Sequence, residues 1–266
     1  NGHEPIGARE GTQELTMCGI IGILGADPAA PRLVQALKLL EYRGYDSAGV
    51  ATLENGAITR RRAAGKLANL AAELERSPLA GVSGIGHTRW ATHGAPTTGN
   101  AHPHATEKVA IVHNGIIENF RALREELAKA GHKFSSETDS EVIAHLITDY
   151  LDKGQMPEQA AISAVRRLEG AFGIAVLFAG DDDILVGARK GSPLAVGLGN
   201  NENFLGSDAI ALSPFTQRVM FLEEGDIAVL SRTKVKVLDA QGMVADRQVH
   251  IFAGGAAAAE KGNHRH

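Results

Sequence analysis

The sequence predicts an α+β protein of layered antiparallel sheets, with its helices grouped rather than alternating with strands. Three observations carry this expectation. Asn55-Gly56, the strongest short hairpin signal, sits between the strand candidates Ala48–Leu53 and Ala57–Arg62. Helical segments follow one another between residues 117 and 168. The last third of the chain is a series of short apolar runs separated by turns. Strands joined by tight turns pair antiparallel, and helices kept apart from them do not build a parallel sheet.

The elements follow in order. Gly19–Leu24 is a short apolar strand candidate. From Pro31 to Tyr42, Leu33, Val34, Leu37, Leu39 and Leu40 recur at helical spacing, and Gly44 stands where such a helix stops. Leu67–Leu74 reads as a helix, and Ile85–Trp90 and Val109–His113 read as strands. Helices are expected over about 117–130, 139–153 and 157–168, and Thr138 with Glu141 has the spacing of a capping box. Strands are then expected at Ile174–Phe178, Ile184–Ala188, Leu194–Val196, Asn203–Gly206, Val219–Leu222, Ile227–Leu230 and Val235–Leu238. Gln241-Gly242 marks a further hairpin.

Composition narrows the function. The 266 residues suffice for one large domain or two small ones with a sizeable core. Lys and Arg number 27 against 31 Asp and Glu, so no basic face is implied and nucleic acid is not an expected partner. A single cysteine leaves no internal disulfide framework and fits a reducing compartment. No apolar stretch approaches the ~20 residues that span a bilayer, and Ile20–Leu24 is too short for a signal-peptide core. The expectation is a cytoplasmic chain with no membrane partner. Of the 11 histidines, only His102 with His104 and His264 with His266 are close pairs, and neither has zinc-site spacing. No metal and no other cofactor is expected.

Four places hold side chains that chemistry can use. Cys18 follows Met17 and opens an apolar run. If the chain began at Cys18, one residue would carry an α-amine titrating at roughly 7.7–8.0 beside a thiol titrating at about 8.5. Nucleophile and base would then share a residue, as in enzymes that use an N-terminal amine. Sixteen residues precede Met17. While they remain, the Cys18 nitrogen is an amide and takes up no proton. On residue type alone, a small buried hydrophobe is the other reading of Cys18.

The second place is Gly86–Gly94, where a strand runs into a polar loop. Arg89 can grip a carboxylate in two-pronged fashion, or it is a surface cation. Thr92 and His93 can equally satisfy backbone groups in a turn. The third is His113-Asn114-Gly115. The Asn114 amide and the Gly115 N–H can hold a developing oxyanion, or the pair is a simple turn. The fourth is Asp139, which either complements a helix dipole or binds a substrate ammonium.

Taken together, these strings are more specific than any of them alone. Cys18-Gly19-Ile20-Ile21-Gly22, Leu40-Glu41-Tyr42-Arg43-Gly44-Tyr45-Asp46-Ser47-Ala48-Gly49 and His87–Gly94 come first. Asn100-Ala101-His102-Pro103-His104, His113–Asn119 and Ser136–His145 follow. In this order they resemble the glutaminase domain of the glucosamine-6-phosphate synthases, within the class II glutamine amidotransferases. Gly191-Ser192-Pro193-Leu194, Ser207-Asp208 and Phe221–Ile227 agree.

The resemblance implies an N-terminal-nucleophile hydrolase fold, a four-layer αββα sandwich of two antiparallel sheets between helix layers. It implies hydrolysis of glutamine to glutamate and ammonia through a Cys18 thioester, with the freed Cys18 amine as base. Asn114 and the Gly115 N–H would form the oxyanion hole. Arg89 would hold the α-carboxylate of glutamine and Asp139 its α-ammonium. Trp90, Thr92 and His93 would belong to a loop that closes over glutamine, and Arg43 would support the Cys18 surroundings.

The expected organisation is an extension or tag with the initiator Met at 1–17 and a glutaminase domain at 18–252. Residues 253–266 would begin a linker to a sugar-isomerase region absent from this chain, through which alone fructose 6-phosphate would be met. Two other readings stand beside this one. The chain could bind glutamine without turnover, because Cys18 is not N-terminal. It could also be the glutaminase domain of another class II amidotransferase, such as amidophosphoribosyltransferase or asparagine synthetase.

Overall fold

The computed structural model describes residues 18–91 and 94–252. The expected extension at 1–17, the linker start at 253–266, and Thr92 and His93 all lie outside the described residues. In chain order the first elements are β1 (Gly19–Leu24), α1 (Ala29–Lys38), a 3₁₀ turn at Glu41–Arg43, β2 (Ser47–Glu54) and β3 (Ala57–Ala64). Next come α2 (Leu67–Arg76), β4 (Ser83–Arg89), β5 (His104–Ala105) and β6 (Val109–Ile117). The helices α3 (Phe120–Lys129), α4 (Glu141–Asp152) and α5 (Pro157–Val165) form the group seen in the sequence. The rest is β7 (Gly170–Phe178), β8 (Leu185–Lys190), β9 (Ala195–Leu198), β10 (Asn203–Gly206), α6 (Ala209–Leu212), β11 (Arg218–Phe221), β12 (Ile227–Leu230), β13 (Val235–Leu238) and β14 (Val249–Ile251).

These strands make two antiparallel sheets. One has eight strands in the order β14-β11-β9-β10-β1-β4-β2-β3, the other six in the order β13-β12-β8-β7-β6-β5. The side-chain period of two divides each strand between two apolar layers. Ile20 and Leu24 of β1 and Ile85 of β4 meet Ala110 and Val112 of β6, with Ala175 and Leu177 of β7, between the sheets. Ile21 and Ile23 point the other way, against Leu33 and Leu37 of α1. On the far side, Val109, Ile111, Ile174 and Val176 carry Leu123 of α3 and Val142 and Leu146 of α4. The result is the expected αββα sandwich. A slip of one residue in β1 would exchange its two layers, so the register is fixed by burial on both faces.

Several elements differ from the sequence reading, each for a local reason. The helix expected from 117 begins at Phe120, because β6 runs on to Ile117 and pairs Asn114 with Gly173 and Ile117 with Gly170. The helix expected to reach 168 ends at Val165. The helix expected to reach Tyr42 ends at Lys38, and the 3₁₀ turn after it closes on Gly44 at φ 75°. The capping box does not form. Glu141 accepts the backbone N–H of Ser135 (2.8 Å) and of Ser136 (2.7 Å), while Thr138 Oγ1 lies 3.0 Å from His104 Nε2. The two-residue β5, the one-turn α6 and the edge strand β14 carry too little pattern to be read from sequence. No helix among the described residues is long and apolar enough to cross a membrane.

The Asn55-Gly56 hairpin forms as expected, with Glu54 opposite Ala57 and φ of 51° and 79° at the two turn residues. Both angles lie in the left-handed region. Gly56→Ala is therefore expected to lower unfolding free energy by about 1 kcal/mol. Urea denaturation checks this, and an unchanged midpoint would show the turn to be unstrained.

Candidate active site

The site grows out of the layer between the sheets. On β4 the inward positions run Ile85, His87, Arg89, and on β6 they run Ala110, Val112, Asn114. On β1 the same period runs from Leu24 back through Ile20 to Cys18. In each case an apolar row becomes polar at one end of the sandwich. There the strands open on a cavity of about 230 Å³, whose lining includes Cys18, Arg89, Trp90, Asn114, Gly115 and Asp139.

Cys18 stands one residue before β1, and its strand is held from both sides. Gly19 N–H donates to Thr88 Oγ1 (3.1 Å), and Ile20 N–H donates to Ser207 Oγ (3.0 Å). Trp90 N–H donates to Cys18 Sγ at 3.1 Å. Burial pushes the Cys18 thiol above its ordinary range, against the Trp90 backbone bond and the nearby Arg89 charge. The sulfur is thus a neutral thiol at neutral pH, and a base must take its proton before it attacks.

Asn114 sits opposite Gly173 in the β6–β7 ladder and is 7% exposed. Its Nδ2 donates to the Cys18 carbonyl at 2.8 Å, and its Oδ1 lies 2.9 Å from His87 Nε2. Gly115 follows at φ 117°, and a Cβ there would stand 2.0 Å from the Ala171 carbonyl oxygen. Only glycine fits this passage of β6 over β7. The site's charges come from opposite sides. Arg89, at the end of β4, has its guanidinium 3.3 Å from the Gly94 carbonyl, 3.4 Å from the Ala95 carbonyl and 4.0 Å from Asp46. Asp139, just before α4, accepts the Ile117 N–H at 2.8 Å. Both are buried. Trp90 is 44% exposed on the cavity wall.

Among the described residues expected in the site, Arg43 is the one that does not line the cavity. It is ion-paired with Asp208, and its Nε donates to Tyr42 Oη at 3.1 Å. Asp208 caps α6 by accepting the Ile210 N–H. Through this neighbour of Ser207 the pair supports β1 from behind rather than facing a substrate.

A group of buried histidines adjoins the cavity, with His102 and His113 in its lining. Burial lowers His87 to about 3 and His113 to about 4, the latter against the opposing charge of Asp139. The His102 ring packs 4.2 Å from the His87 ring. Arg60 and Arg62 of β3 fasten this stretch by donating to the carbonyls of Pro103 (2.9 Å) and Ala101 (2.9 Å). The sequence reading gives neither His87 nor His102 a role in the site. The signal for His87 was there: it stands two residues before Arg89 on a strand, hence on the same face. Among the described residues no group of His, Cys, Asp and Glu side chains could hold a metal ion.

Comparison with known proteins places this geometry in a family. A model of the glutamine amidotransferase domain matches residues 87–214. The chain is 57% identical over 250 residues to glutamine–fructose-6-phosphate aminotransferase (isomerizing) of Bradyrhizobium diazoefficiens, covering 94% of this chain and 41% of that protein. The chain belongs to the glutamine amidotransferase domain family. The namesake aminotransferase of Brucella abortus is 58% identical over the same shares. The chain thus spans about two fifths of the length of the curated relatives it matches. Among solved structures, glutamine phosphoribosylpyrophosphate amidotransferase of B. subtilis superposes with a TM-score of 0.68 at 23% identity, covering 90% of this chain and 50% of that one. A glutamine aminotransferase class-II domain protein from Silicibacter pomeroyi superposes at 0.52 with 18% identity, covering 89% and 100%. At these identities the likeness is one of fold alone.

Proposed function

We propose that this domain hydrolyses glutamine to glutamate and ammonia, and that the longer protein passes the ammonia to fructose 6-phosphate in hexosamine synthesis. The observation that carries the first part is the shared cavity. A thiol, an amide N–H donor, a buried cation and a buried carboxylate line it from four separate chain segments. Glutamine presents a carboxylate, an ammonium and an unreactive amide, and each finds its complement there. Arg89 takes the α-carboxylate and Asp139 the α-ammonium. The Cys18 thiol gives its proton to the freed α-amine of the same residue, and sulfur attacks the side-chain carbonyl carbon. Asn114 Nδ2 and the Gly115 N–H hold the oxygen that becomes negative. Collapse of the adduct breaks the C–N bond, and the protonated amine supplies the proton with which ammonia leaves. Water then hydrolyses the thioester. Trp90, on the cavity wall, covers the bound substrate.

The glutaminase domain in this reading is 18–252, since β1 at its start and β14 at its end belong to one sheet. The peptide bond before Cys18 must be cut for the amine to act. A cytoplasmic setting follows from the need to keep this thiol reduced. Fructose 6-phosphate enters on the names of the relatives, through the part of those proteins that this chain does not span.

The test compares ammonia release from the chain before and after cleavage in front of Cys18, with both N-termini verified by mass spectrometry. The cut chain is expected to turn over glutamine and the uncut chain to be far slower; equal rates would overturn the base assignment. Stoichiometric glutamine binding by the cut chain without ammonia would favour a binding domain instead. A pH series sharpens the test. The buried thiol of the uncut chain titrates above its ordinary range, so its reaction with a glutamine-like electrophile is expected to rise about tenfold per pH unit between about 7 and 9. The cut chain is expected to level off near the amine's titration at about 8. A plateau below pH 8 in the uncut chain would contradict the raised thiol.

A further inference from the structure

We infer that His87 is a positioning residue for the oxyanion site: its Nε2–H locks the Asn114 amide so that an N–H, not a carbonyl oxygen, faces the reacting carbon. The inference rests on the glutaminase reading above and adds to it a residue that does not line the cavity.

The argument begins with a backbone oxygen. The Cys18 carbonyl can only accept, so the Asn114 atom 2.8 Å from it must be the nitrogen. The other end of that amide, Oδ1, therefore faces His87 Nε2 at 2.9 Å. An amide oxygen only accepts, so Nε2 must carry the hydrogen. One acceptor on Cys18 thus fixes the orientation of Asn114, and Asn114 fixes the tautomer of His87. Asn114 Nδ2 bears two hydrogens, and one is used on the Cys18 carbonyl. The other is left for the cavity that Asn114 lines.

An amide can turn over by half a rotation, which exchanges oxygen for nitrogen. In Asn114 that flip would set Oδ1 against the Cys18 carbonyl and against any oxyanion. His87 opposes it, because the flip would also point Nδ2 hydrogens at the Nε2–H. The ring can do this only if it stays put and keeps its hydrogen on Nε2. It is 1% exposed on the interior strand β4, and His102 packs on it with ring centroids 4.2 Å apart. Burial holds it down at about 3, so protonation does not disturb the tautomer at working pH. Charged and polar groups around it are Arg89 on its own strand, His113 and Asn114 on β6 and His102 on the preceding loop.

The test uses the chain cut before Cys18. His87→Leu is expected to lower kcat by about tenfold to hundredfold, less than loss of the donor itself, with KM within about threefold. His87→Gln, whose side-chain N–H can occupy the Nε2 position, is expected to recover most of that loss. In an Asn114→Ala background, His87→Leu is expected to add nothing, since there is no amide left to orient. An unchanged kcat in His87→Leu would overturn the inference, as would an equal loss in both backgrounds. Nitrogen-15 NMR of the histidine rings gives a readout that needs no turnover and no variant. His87 is expected to show a protonated Nε2 and an unprotonated Nδ1; the opposite tautomer would overturn the inference even in an active protein. If the cut chain proves inactive, the glutaminase reading fails by itself and the NMR result still decides on His87.

Discussion

Cys18→Ala is expected to reduce ammonia release from the cut chain by about 10⁴-fold or more, while glutamine binding stays within about threefold. The two effects separate because the site separates them. The charges that meet glutamine's α-groups in this reading are Arg89 on β4 and Asp139 before α4, both buried and both held by other partners. Removing Sγ deletes one acceptor for the Trp90 N–H and leaves these poles in place. Calorimetry with glutamine reads the binding, and coupled ammonia detection reads the turnover. Retention of more than about one hundredth of the activity would mean that another group attacks, since loss of a nucleophile ordinarily removes far more.

Asn114→Ala is expected to lower kcat by about 10²–10³ on the same cut chain, with little change in KM. Charge on the substrate oxygen develops only as sulfur adds, so the donor acts on the transition state more than on bound glutamine. The same substitution leaves the Cys18 carbonyl and His87 Nε2–H without their partners. A fall of about 1–3 kcal/mol in stability is therefore expected alongside the kinetic loss. Activity within threefold of the parent chain would remove Asn114 from the oxyanion site. Stability lost with kcat intact would make it a purely architectural residue.

The sequence made the sandwich legible where local signals and burial agree. Asn55-Gly56 forced a hairpin whose flanking strands both lie in the large sheet, and helices α3, α4 and α5 appear as a group because their apolar spacing is strong. Boundaries failed where tertiary pairing overrode spacing. Residues 117–119 have a helical pattern, yet Ile117 pairs with Gly170 across β6 and β7. Thr138 and Glu141 have capping spacing, yet each is drawn to a different partner. Cys18, Arg89, Asn114 and Asp139 each left a second reading open when taken singly; the ordered strings around them marked them together, and they line one cavity. Spacing puts His87 on the same face of β4 as Arg89, but its contact with Asn114 joins β4 to β6 and is not encoded in linear spacing. Arg43 shows the converse. Its string is distinctive, but its guanidinium is ion-paired with Asp208 and does not line the cavity.

β1 lies between β4 and β10, near the middle of the eight-stranded sheet. Fresh ends left by proteolysis usually fray, losing the aim of whatever group they bear. Severing the backbone ahead of Cys18 would leave an end moored at its very next amide, on Thr88, and again one step later on Ser207. Maturation at that bond would unmask a reactive terminus without setting it adrift.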